Sequence, residues 1–391
     1  MDMKIFAKTI EPLAQQQLDT LCAQEAFKDA KIRIMEDCHA GAGCVAGFTA
    51  NLGDKVVPNL IGVDIGCQVS VSKIPVDSFE VRVLDKALHT GIPVGFNAHI
   101  SPVADGNFIK SLLCYDKLRH KEAFANQIGT LGGGNHFIEV DSGPDGSFYL
   151  IIHSGSRNLG KQVAQYYQSV AITDVRNRSD NQKNRANEII ARCKRKHTEQ
   201  DIPELLSLIP NDSRTPGNLC YLEGEHRDDY LHDMRICEQY AALNHETMRN
   251  IIFERMGWQS PEEGFTSEHN YIDLKDNIIR KGATPARYGQ NLIIPLNMRD
   301  GCIFGVGKGN DDRNQSAPHG AGRLMSRTQA FNSLNLPQFQ SDMTGIYSSC
   351  VDKERLDESP RAYKDENEII NGIADTVDIK FISKPVYNFK G

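Results

Sequence analysis

The chain has 391 residues, of which 40% are hydrophobic and 24% are charged, as expected for a globular protein with one large domain or two ordinary ones. Its formal net charge of −7 argues against a protein that coats nucleic acid nonspecifically, so RNA binding would require a local basic surface. No segment approaches the roughly eighteen consecutive apolar residues of a membrane span, so no membrane partner is expected.

The predicted elements change in character along the chain. Residues 11–25 are predicted to form a capping helix, 55–76 to form strands with glycine bulges, and 148–152 to form a short strand leading to His153. Residues 163–256 are predicted to be helical over 164–167, 188–196 and 233–256, with a polar link around 210–217. Strands return at 291–296, 302–306 and 380–389. Strands at both ends predict an α+β fold with a helical insertion at about 163–256.

The predicted helical insertion carries a cluster of positive charge. Between residues 176 and 196 the basic side chains outnumber the acidic ones, and they are Arg176, Arg178, Lys183, Arg185, Arg192, Lys194, Arg195 and Lys196. In an acidic protein this basic cluster could form the surface that binds and orients RNA. The alternative is a solvated helix face.

A histidine near the C-terminal end lies in surroundings suited to phosphate. Pro318 keeps the chain before His319 extended, and the glycines that follow allow a close approach of the backbone to a ligand. Arg323 and Arg327 are four residues apart, so a helix would present both on one face, with its N-terminus attracting anions. His319 could then act as a nucleophile toward a phosphoryl or nucleotidyl group. The alternative is a glycine-rich turn with a buried, hydrogen-bonded histidine.

Several residues elsewhere offer ligand atoms for divalent metal ions, namely Asp64, Cys67, His136, His153 and His269. Asp64 and Cys67 are three residues apart and would face opposite sides of a regular strand. A bulge at Gly62 and Gly66 would let both reach one site. By affinity alone a site with a thiolate would prefer zinc or cobalt, and each histidine alone could be structural.

Residues 135–140 are predicted to be extended, with different side chains on the two faces. Asn135, Phe137 and Glu139 would then share one face, and His136 would point to the other. One face could serve a nucleotide and the other the metal ions. The alternative is a strand-end cap at Asn135 and a solvated Glu139.

Other signals carry less weight. Residues 41–46 satisfy a loose dinucleotide fingerprint but do not lead into a helix, so a Rossmann fold is rejected. Residues 305–310 break the phosphate-loop pattern, which leaves Lys308 either near phosphate or in a surface turn. His245 is interpreted as an ordinary helix residue, and His39 is placed outside the core site.

Taken together, the motifs resemble those of the RtcB family of RNA ligases. The matching segments occur in the family's order and reach from about residue 35 to the last residue; they are 62–67, 129–139, 153–157, 269–271, 281–284, 316–327 and 390–391. The resemblance implies a single catalytic domain, residues 1–391, with a β-rich centre. It also includes an Asp-Cys-His run at 37–39, where the family usually has Asp-Val-His.

The resemblance also implies roles for the site residues. Asp64, Cys67, His136, His153 and His269 would bind two Mn²⁺ ions, and His319 would be guanylylated by GTP. Arg157 and Arg323 would stabilise negative charge on RNA and phosphate groups. The implied nucleotide contacts are Asn135, Glu139, Asn297, His319, Gly320, Ala321, Gly322, Arg323, Tyr363 and Lys390. The terminal Lys390 would donate to guanine, whereas chain ends are more often frayed.

The implied reaction joins an RNA 3′-phosphate or 2′,3′-cyclic phosphate to a 5′-hydroxyl, as in tRNA splicing and RNA repair. Partners could include an accessory activator protein. The ten scattered cysteines form no C-x-x-C pair, and the first residues lack signal-peptide features, so a cytoplasmic protein with reduced thiols is expected.

Some positions differ from the family pattern. Gln68-Val69 replaces Gly-Met, and residues 295–299 read Pro-Leu-Asn-Met-Arg where many members have Pro-Gly-Ser-Met-Gly in the guanosine pocket. The chain is also short, which indicates a divergent branch. Two alternatives stay open, a dinuclear phosphoesterase that opens cyclic phosphates without ligation and a noncatalytic RNA-binding repair adaptor.

Overall fold

The computed structural model describes residues 1–209, 215–261 and 263–391, so the predicted link at 210–217 lies partly outside the described residues. The helices are α1 Pro12–Cys22, α2 Val81–Gly91, α3 Arg157–Lys196, α4 Ile202–Ser207, α5 Gly224–Met256, α6 Arg327–Ser333, α7 Leu336–Asp342 and α8 Glu366–Gly372. The first strands are β1 Asp2–Ile5, β2 Lys31–His39, β3 Ala46–Asn51, β4 Gln68–Ile74, β5 Phe137–Ser142, β6 Phe148–Ser154, β7 Gly264–Glu268 and β8 Asn270–Asp273. The later strands are β9 Ile278–Lys281, β10 Ala283–Pro285, β11 Asn291–Asn297, β12 Gly301–Gly307, β13 Ser316–Pro318, β14 Val377–Ile382 and β15 Lys384–Lys390. The predicted α+β fold is confirmed.

The strands of the described residues form two five-stranded sheets and two smaller ones. One large sheet has the order β1-β2-β3-β9-β8, and the other, here called the central sheet, has the order β15-β5-β6-β4-β7. The smaller sheets are β11-β12-β14 and β10-β13. In the central sheet β6 pairs antiparallel with both β4 and β5, and His153 lies opposite Val69 on one side and Phe137 on the other. This register brings the ends of three strands together at one edge of the sheet.

Both faces of the central sheet are buried. Leu150 and Ile152 of β6 pack toward α2 and α5, in a cluster with Leu84 and Met248. Ile151, one residue out of phase, packs on the opposite face with residues of β11 and β12. Because side chains alternate along a strand, His153 lies on the same face as Ile151.

Helix α3 is unusually long, with 40 residues and a length of about 60 Å. Its first half packs on the core through Leu159, Val163 and Tyr167, but after Ser179 its only buried residue is Cys193. The helix therefore begins beside the central sheet, and its C-terminal half extends away from the core with mostly exposed side chains. No helix in the described residues has the length and apolar character needed to cross a membrane. Whether the helical segment is an insertion into a single domain stays a prediction.

Several predicted boundaries were wrong. Residues 55–67 form turns and a short 3₁₀ helix at 58–60, not strands, and β4 begins only at Gln68. The predicted strand at 380–389 is two strands in different sheets, separated at Ser383, whose hydroxyl group donates to the buried carboxylate of Asp141. The predicted helices at 164–167 and 188–196 are parts of the single helix α3.

Candidate functional site

The residues predicted to bind metal lie together in two groups that share Cys67. One group contains Asp64, Cys67 and His136, the other contains Cys67, His153 and His269, and within each group the ligand atoms lie within 4.8 Å of one another. The Sγ atom of Cys67 is 3.3 Å from His153 Nε2 and 3.7 Å from His136 Nε2. A thiolate in this position could serve as a ligand in both groups.

A turn brings Asp64 and Cys67 to the same side, so the predicted bulge within a strand is not needed. The amide of Cys67 donates to the carbonyl oxygen of Asp64 at 3.2 Å, just before β4 begins. Gly66 has a φ of 72°, which a residue with a side chain rarely adopts, and a Cβ atom there would lie 3.0 Å from the backbone of α5. His269 follows β7, and its amide donates to the carbonyl oxygen of Cys67 at 3.0 Å.

Backbone carbonyl groups orient two of the histidine ligands. His136 Nδ1 is 2.9 Å from the carbonyl oxygen of Leu131, and His153 Nδ1 is 3.2 Å from that of Asn135. With Nδ1–H donating to a carbonyl oxygen, the lone pair of each Nε2 points toward the other predicted ligands. The five ligand residues Asp64, Cys67, His136, His153 and His269 are here called the metal cluster. The same Nε2 atom of His153 lies 3.3 Å from His269 Nε2. Two lone pairs at this distance repel each other, whereas a cation bound by both would satisfy them.

The charges of the cluster also fit divalent cations. The carboxylate oxygen Oδ1 of Asp64 is buried and has no hydrogen-bond partner among the described residues. Burial lowers the pKa of His153 and of His269 well below the usual value, so both rings are neutral and able to bind metal. Burial also raises the pKa of the Cys67 thiol well above its usual value. The charge of a bound cation would reverse that effect and favour the thiolate.

His319 lies at the border between this cluster and a cavity. It follows β13, and its Nδ1 atom is 2.6 Å from Oδ2 of Asp37, which also accepts the His319 amide at 3.1 Å. Asp37 belongs to β2 and is completely buried. The ring centroids of His319 and His269 are 4.7 Å apart, which places the predicted nucleophile next to one metal group.

The cavity beside His319 has a volume of about 450 Å³, within the range of small-ligand pockets. Its lining includes every residue predicted to contact the nucleotide, Asn135, Glu139, Asn297, His319, Gly320, Ala321, Gly322, Arg323, Tyr363 and Lys390. His153 lines it as well, so the cavity opens onto the metal cluster. His39, which the sequence interpretation places outside the core site, also lines it, and its Nδ1 atom is 2.7 Å from the Asp37 carbonyl oxygen.

The alternation predicted for residues 135–140 is present. Asn135, Phe137 and Glu139 line the cavity, whereas His136 belongs to the metal cluster. Glu139 is buried, not solvated, and its carboxylate accepts a hydrogen bond from Asn388. Burial and the neighbouring Asp141 raise the pKa of Glu139 well above its usual value.

The two arginines of the 316–327 segment are not on one helix. Residues 320–326 form turns and an isolated bridge, and α6 begins only at Arg327. Both guanidinium groups nevertheless reach the Oε1 atom of Glu358, at 3.3 Å from Arg323 and 3.1 Å from Arg327. The predicted helix N-terminus next to His319 is therefore wrong, and a buried carboxylate brings the arginines together instead.

Glu358 organises the far end of the cavity. Its Oε2 atom accepts hydrogen bonds from the ammonium group of Lys390 at 2.6 Å and from the hydroxyl group of Tyr363 at 2.8 Å. Although burial raises the pKa of Glu358, Lys390 and Arg327 outweigh it and lower the pKa below its usual value. The carboxylate is thus charged and positions three of the predicted nucleotide contacts, counting Arg323.

Arg157 lies on the metal side of the site and does not line the cavity. It is the first residue of α3, and its Nη1 atom is 3.3 Å from His136 Nδ1. The predicted phosphate-binding arginines are therefore on different sides, Arg323 at the cavity and Arg157 at the metal cluster.

Lys308 lies neither at the cavity nor at the metal cluster, because its ammonium group donates to the carbonyl oxygen of Ala374 in a surface turn. His245 is a buried residue of α5 whose Nε2 atom is 3.0 Å from the carbonyl oxygen of Ser154.

Comparison with known proteins identifies the family of this chain. A family profile described as tRNA-splicing ligase RtcB matches residues 106–391. The chain is 28% identical to the RNA-splicing ligase RtcB of Escherichia coli K12, with 98% of this chain and 95% of that protein aligned. It is 26% identical to the tRNA-splicing ligase RtcB of Aeropyrum pernix, with 86% of this chain and 82% of that protein aligned. Since the profile matches well over half of the residues, the chain belongs to the RtcB family.

Proposed function

We propose that the protein is an RNA ligase that joins a 3′-phosphate or 2′,3′-cyclic phosphate end to a 5′-hydroxyl end through a guanylylated His319. The observation that carries this proposal is the position of His319. Its Nδ1 atom is hydrogen-bonded to the buried carboxylate of Asp37, and its ring lies between a nucleotide-sized cavity and the metal cluster. The family membership and the names of the similar proteins also support a ligase.

In the first step, Nε2 of His319 attacks the α-phosphorus of GTP. A bond forms between nitrogen and phosphorus, and the bond from that phosphorus to the bridging oxygen of pyrophosphate breaks. Asp37 would hold the proton on Nδ1, so that Nε2 carries the reactive lone pair, and it would stabilise the positive charge that develops on the ring.

The cavity would select guanine at the end away from His319. The acceptor atoms O6 and N7 of guanine suit the ammonium group of Lys390, whereas adenine presents an amino group at position 6. Glu358 fixes the position of that ammonium group, and Tyr363 is fixed by the same carboxylate. Glu139, on the neighbouring strand β5, adds a buried carboxyl group that can form hydrogen bonds with a base.

The metal cluster would act at the phosphates. Asp64, Cys67, His136, His153 and His269 would hold two divalent ions, for which we propose Mn²⁺. When bound, such ions act as Lewis acids toward phosphoryl oxygens. The orphan Oδ1 atom of Asp64 and the opposed Nε2 atoms of His153 and His269 support a fit for cations.

Two further transfers would complete the reaction. An oxygen of the RNA 3′-phosphate attacks the guanylyl phosphorus, which breaks the bond to His319 and leaves GMP linked to the RNA end. The 5′-hydroxyl then attacks the phosphorus of the former 3′-phosphate, forms the phosphodiester and releases GMP. A 2′,3′-cyclic phosphate end must first be hydrolysed to the 3′-phosphate. Arg157, next to the metal cluster, would neutralise the negative charge that develops at the joined phosphate.

Incubation with GTP labelled in the α-phosphate, in the presence of Mn²⁺, tests the proposal. The label should become attached to the protein through a bond that is labile in acid and stable in alkali, as a phosphoramidate is. It should be released as GMP when RNA with a 3′-phosphate and RNA with a 5′-hydroxyl are added. Label retained by a His319→Ala protein would overturn the assignment. Opening of cyclic phosphates without GTP or joining would indicate the phosphoesterase alternative.

A further inference from the structure

His39, the last residue of β2, is a half-buried histidine in the wall of the nucleotide cavity. Its side chain lines the cavity together with His319, Gly322 and Arg323 of the 316–327 segment. His39 belongs to neither group of metal ligands. The proposed reaction gives it no role, although it lies at the end of the cavity where the phosphate is transferred.

The ring of His39 is held by Asp37, the residue that also holds His319. Nδ1 of His39 is 2.7 Å from the carbonyl oxygen of Asp37, and the carboxylate of Asp37 lies 2.6 Å from Nδ1 of His319. The chain after His39 is held by the residue that precedes α1, because the amide of Ala40 donates to Oε1 of Glu11 at 2.7 Å. One aspartate therefore positions two histidines that line the same cavity.

The hydrogen bond to Asp37 determines which nitrogen atom of His39 carries the proton. A carbonyl oxygen only accepts, so Nδ1 is the donor, and Nε2 of the neutral ring keeps its lone pair. Burial, together with the nearby positive charges of His319 and Arg323, lowers the pKa of His39 below its usual value and favours the neutral ring. Nε2 has no hydrogen-bond partner among the described residues. Because the side chain lines the cavity, this acceptor is available to a ligand there.

The chemistry of a nucleotide limits what an acceptor at this place can bind. Phosphoryl oxygens only accept hydrogen bonds, so the lone pair of His39 Nε2 would repel them. The hydroxyl groups of a ribose lie close to its phosphate group, and each of them can donate a hydrogen bond. An acceptor beside the transferred phosphate therefore suits a ribose hydroxyl group.

We propose that Nε2 of His39 accepts a hydrogen bond from a ribose hydroxyl group next to the phosphate that His319 transfers. The inference rests on the proposed function. Two riboses carry phosphate groups that react at His319, that of GTP and that of the RNA nucleotide with the 3′-phosphate. In either case the bond holds the sugar, and with it the phosphate, in place beside His319. His39 is thus a substrate-binding residue that distinguishes ribonucleotides from deoxyribonucleotides.

Deoxy substrates test the proposal in the unchanged protein. Guanylylation is compared for GTP, 2′-deoxy-GTP and 3′-deoxy-GTP, and joining for RNA 3′-phosphate ends with and without the terminal 2′-hydroxyl. Loss of the hydroxyl group that His39 binds should raise the KM of that substrate roughly twofold to tenfold. A rise in the guanylylation assay assigns the hydroxyl to GTP, and a rise in the joining assay alone assigns it to RNA. Equal KM values with and without each hydroxyl group would overturn the proposal.

Two substitutions show whether His39 is the acceptor. His39→Phe keeps a ring without an acceptor, so the KM of the ribonucleotide should rise by the same factor, and removal of the hydroxyl should add nothing further. His39→Gln retains an acceptor oxygen and should keep most of the preference for the hydroxyl. A purely structural role would impair ribose and deoxyribose substrates equally. An undiminished preference in His39→Phe would therefore overturn the proposal.

His120→Ala is the matched control, because the side chain of His120 is 82% exposed and lies outside the cavity lining. It should keep the full preference for the hydroxyl, and an equal loss there would overturn the proposal. Circular dichroism and metal content of the His39 variants should match those of the unchanged protein. Failure of the unchanged protein to form a GMP adduct with GTP would refute the proposed function instead.

Discussion

Lys390 and Glu358 form a buried ion pair, with 2.6 Å between Nζ and Oε2. The side chains are 6% and 3% exposed, so the ammonium group is held at the cavity and not in solvent. The backbone of Lys390 is also fixed, because β15 pairs with β5 and places Lys390 opposite Phe137. Lys390 is therefore held in the sheet and is not part of a frayed chain end.

Removal of Lys390 and Gly391 should therefore impair the use of GTP and narrow the preference for GTP over ATP. A base contact of this kind contributes about 1–3 kcal/mol, which corresponds to roughly a tenfold to hundredfold change in discrimination. Guanylylation and adenylylation rates, measured with labelled GTP and ATP, give the ratio. Lys384→Met, at an exposed lysine of the same strand, is the control and should keep both rates. Unchanged selectivity in the truncated protein would show that the tail does not read the base.

Asp37→Asn should slow guanylylation while the metal stays bound. The substitution removes the charge that holds the proton on His319 Nδ1 and stabilises the imidazolium, so we expect a loss on the order of a hundredfold to ten-thousandfold. Single-turnover labelling with GTP measures it. Glu36→Gln, on the adjacent residue, is the control, because Glu36 pairs with Arg313 away from His319 and should affect mainly stability. A normal rate in Asp37→Asn would refute the positioning role.

Cys67→Ala should lose metal, guanylylation and ligation together, because one sulfur belongs to both ligand groups. Metal per chain, measured by elemental analysis after dialysis, should fall, and the circular dichroism spectrum should be retained. Cys237→Ala, at another buried cysteine in the core of α5, should keep its metal even if it is less stable. Full metal content in Cys67→Ala would show an ordinary buried thiol.

The basic cluster at 176–196 lies on the far half of α3, where side chains are mostly exposed. Replacing Lys194, Arg195 and Lys196 with glutamate should weaken RNA binding and make its dependence on salt shallower, by roughly one unit of slope for each phosphate group that the protein no longer neutralises. Guanylylation should not change. Replacing Arg82, Lys86 and Lys110, three exposed basic residues outside the cluster, with glutamate changes the net charge by the same amount and is the control. An unchanged slope would favour a solvated helix face.

Asp141 should make the free energy of unfolding depend on pH. Burial raises its pKa to about 6, whereas a carboxyl group in the unfolded chain titrates near 3.9. Between these values the folded state binds more protons than the unfolded state, so the free energy of unfolding should fall as pH rises from about 4 to 6. Asp141→Asn should reduce this decline and raise stability at pH 7 by roughly 1–3 kcal/mol. Urea unfolding at several pH values measures it, and an unchanged pH dependence would refute it.

The ligand set and the cavity lining were predictable because the motifs that carry these residues resemble those of the family. Alternation along a strand correctly separated His136 from Asn135 and Glu139. Asp37 and Glu358 were missed as site residues because a carboxylate in sequence gives no sign that it will be buried. Their partners, His319 and Lys390, are distant from them in the sequence, and only the tertiary structure brings each pair together. The Asp-Cys-His run at 37–39, which ends β2, was the available signal for Asp37.

The same limit explains the errors in the elements. Residues 380–389 read as one strand because each half is apolar, and only the buried bond between Ser383 and Asp141 reveals the change of sheet. The helix expected after His319 followed from the spacing of Arg323 and Arg327. Their actual convergence depends on Glu358, which no local pattern indicates.

The two metal groups draw their ligands from separate parts of the chain. Asp64 precedes β4, His153 lies near the end of β6 and His269 follows β7, and β4 pairs with β6 and β7 only through long-range contacts of the central sheet. A partly folded chain would hold at most a fragment of either group. Metal affinity should thus report complete assembly of this sheet, and in denaturant the release of metal should coincide with global unfolding. Pairing between distant strands is slow, so the rate at which refolding chains regain metal should follow the formation of β-structure and lag behind that of the long helices.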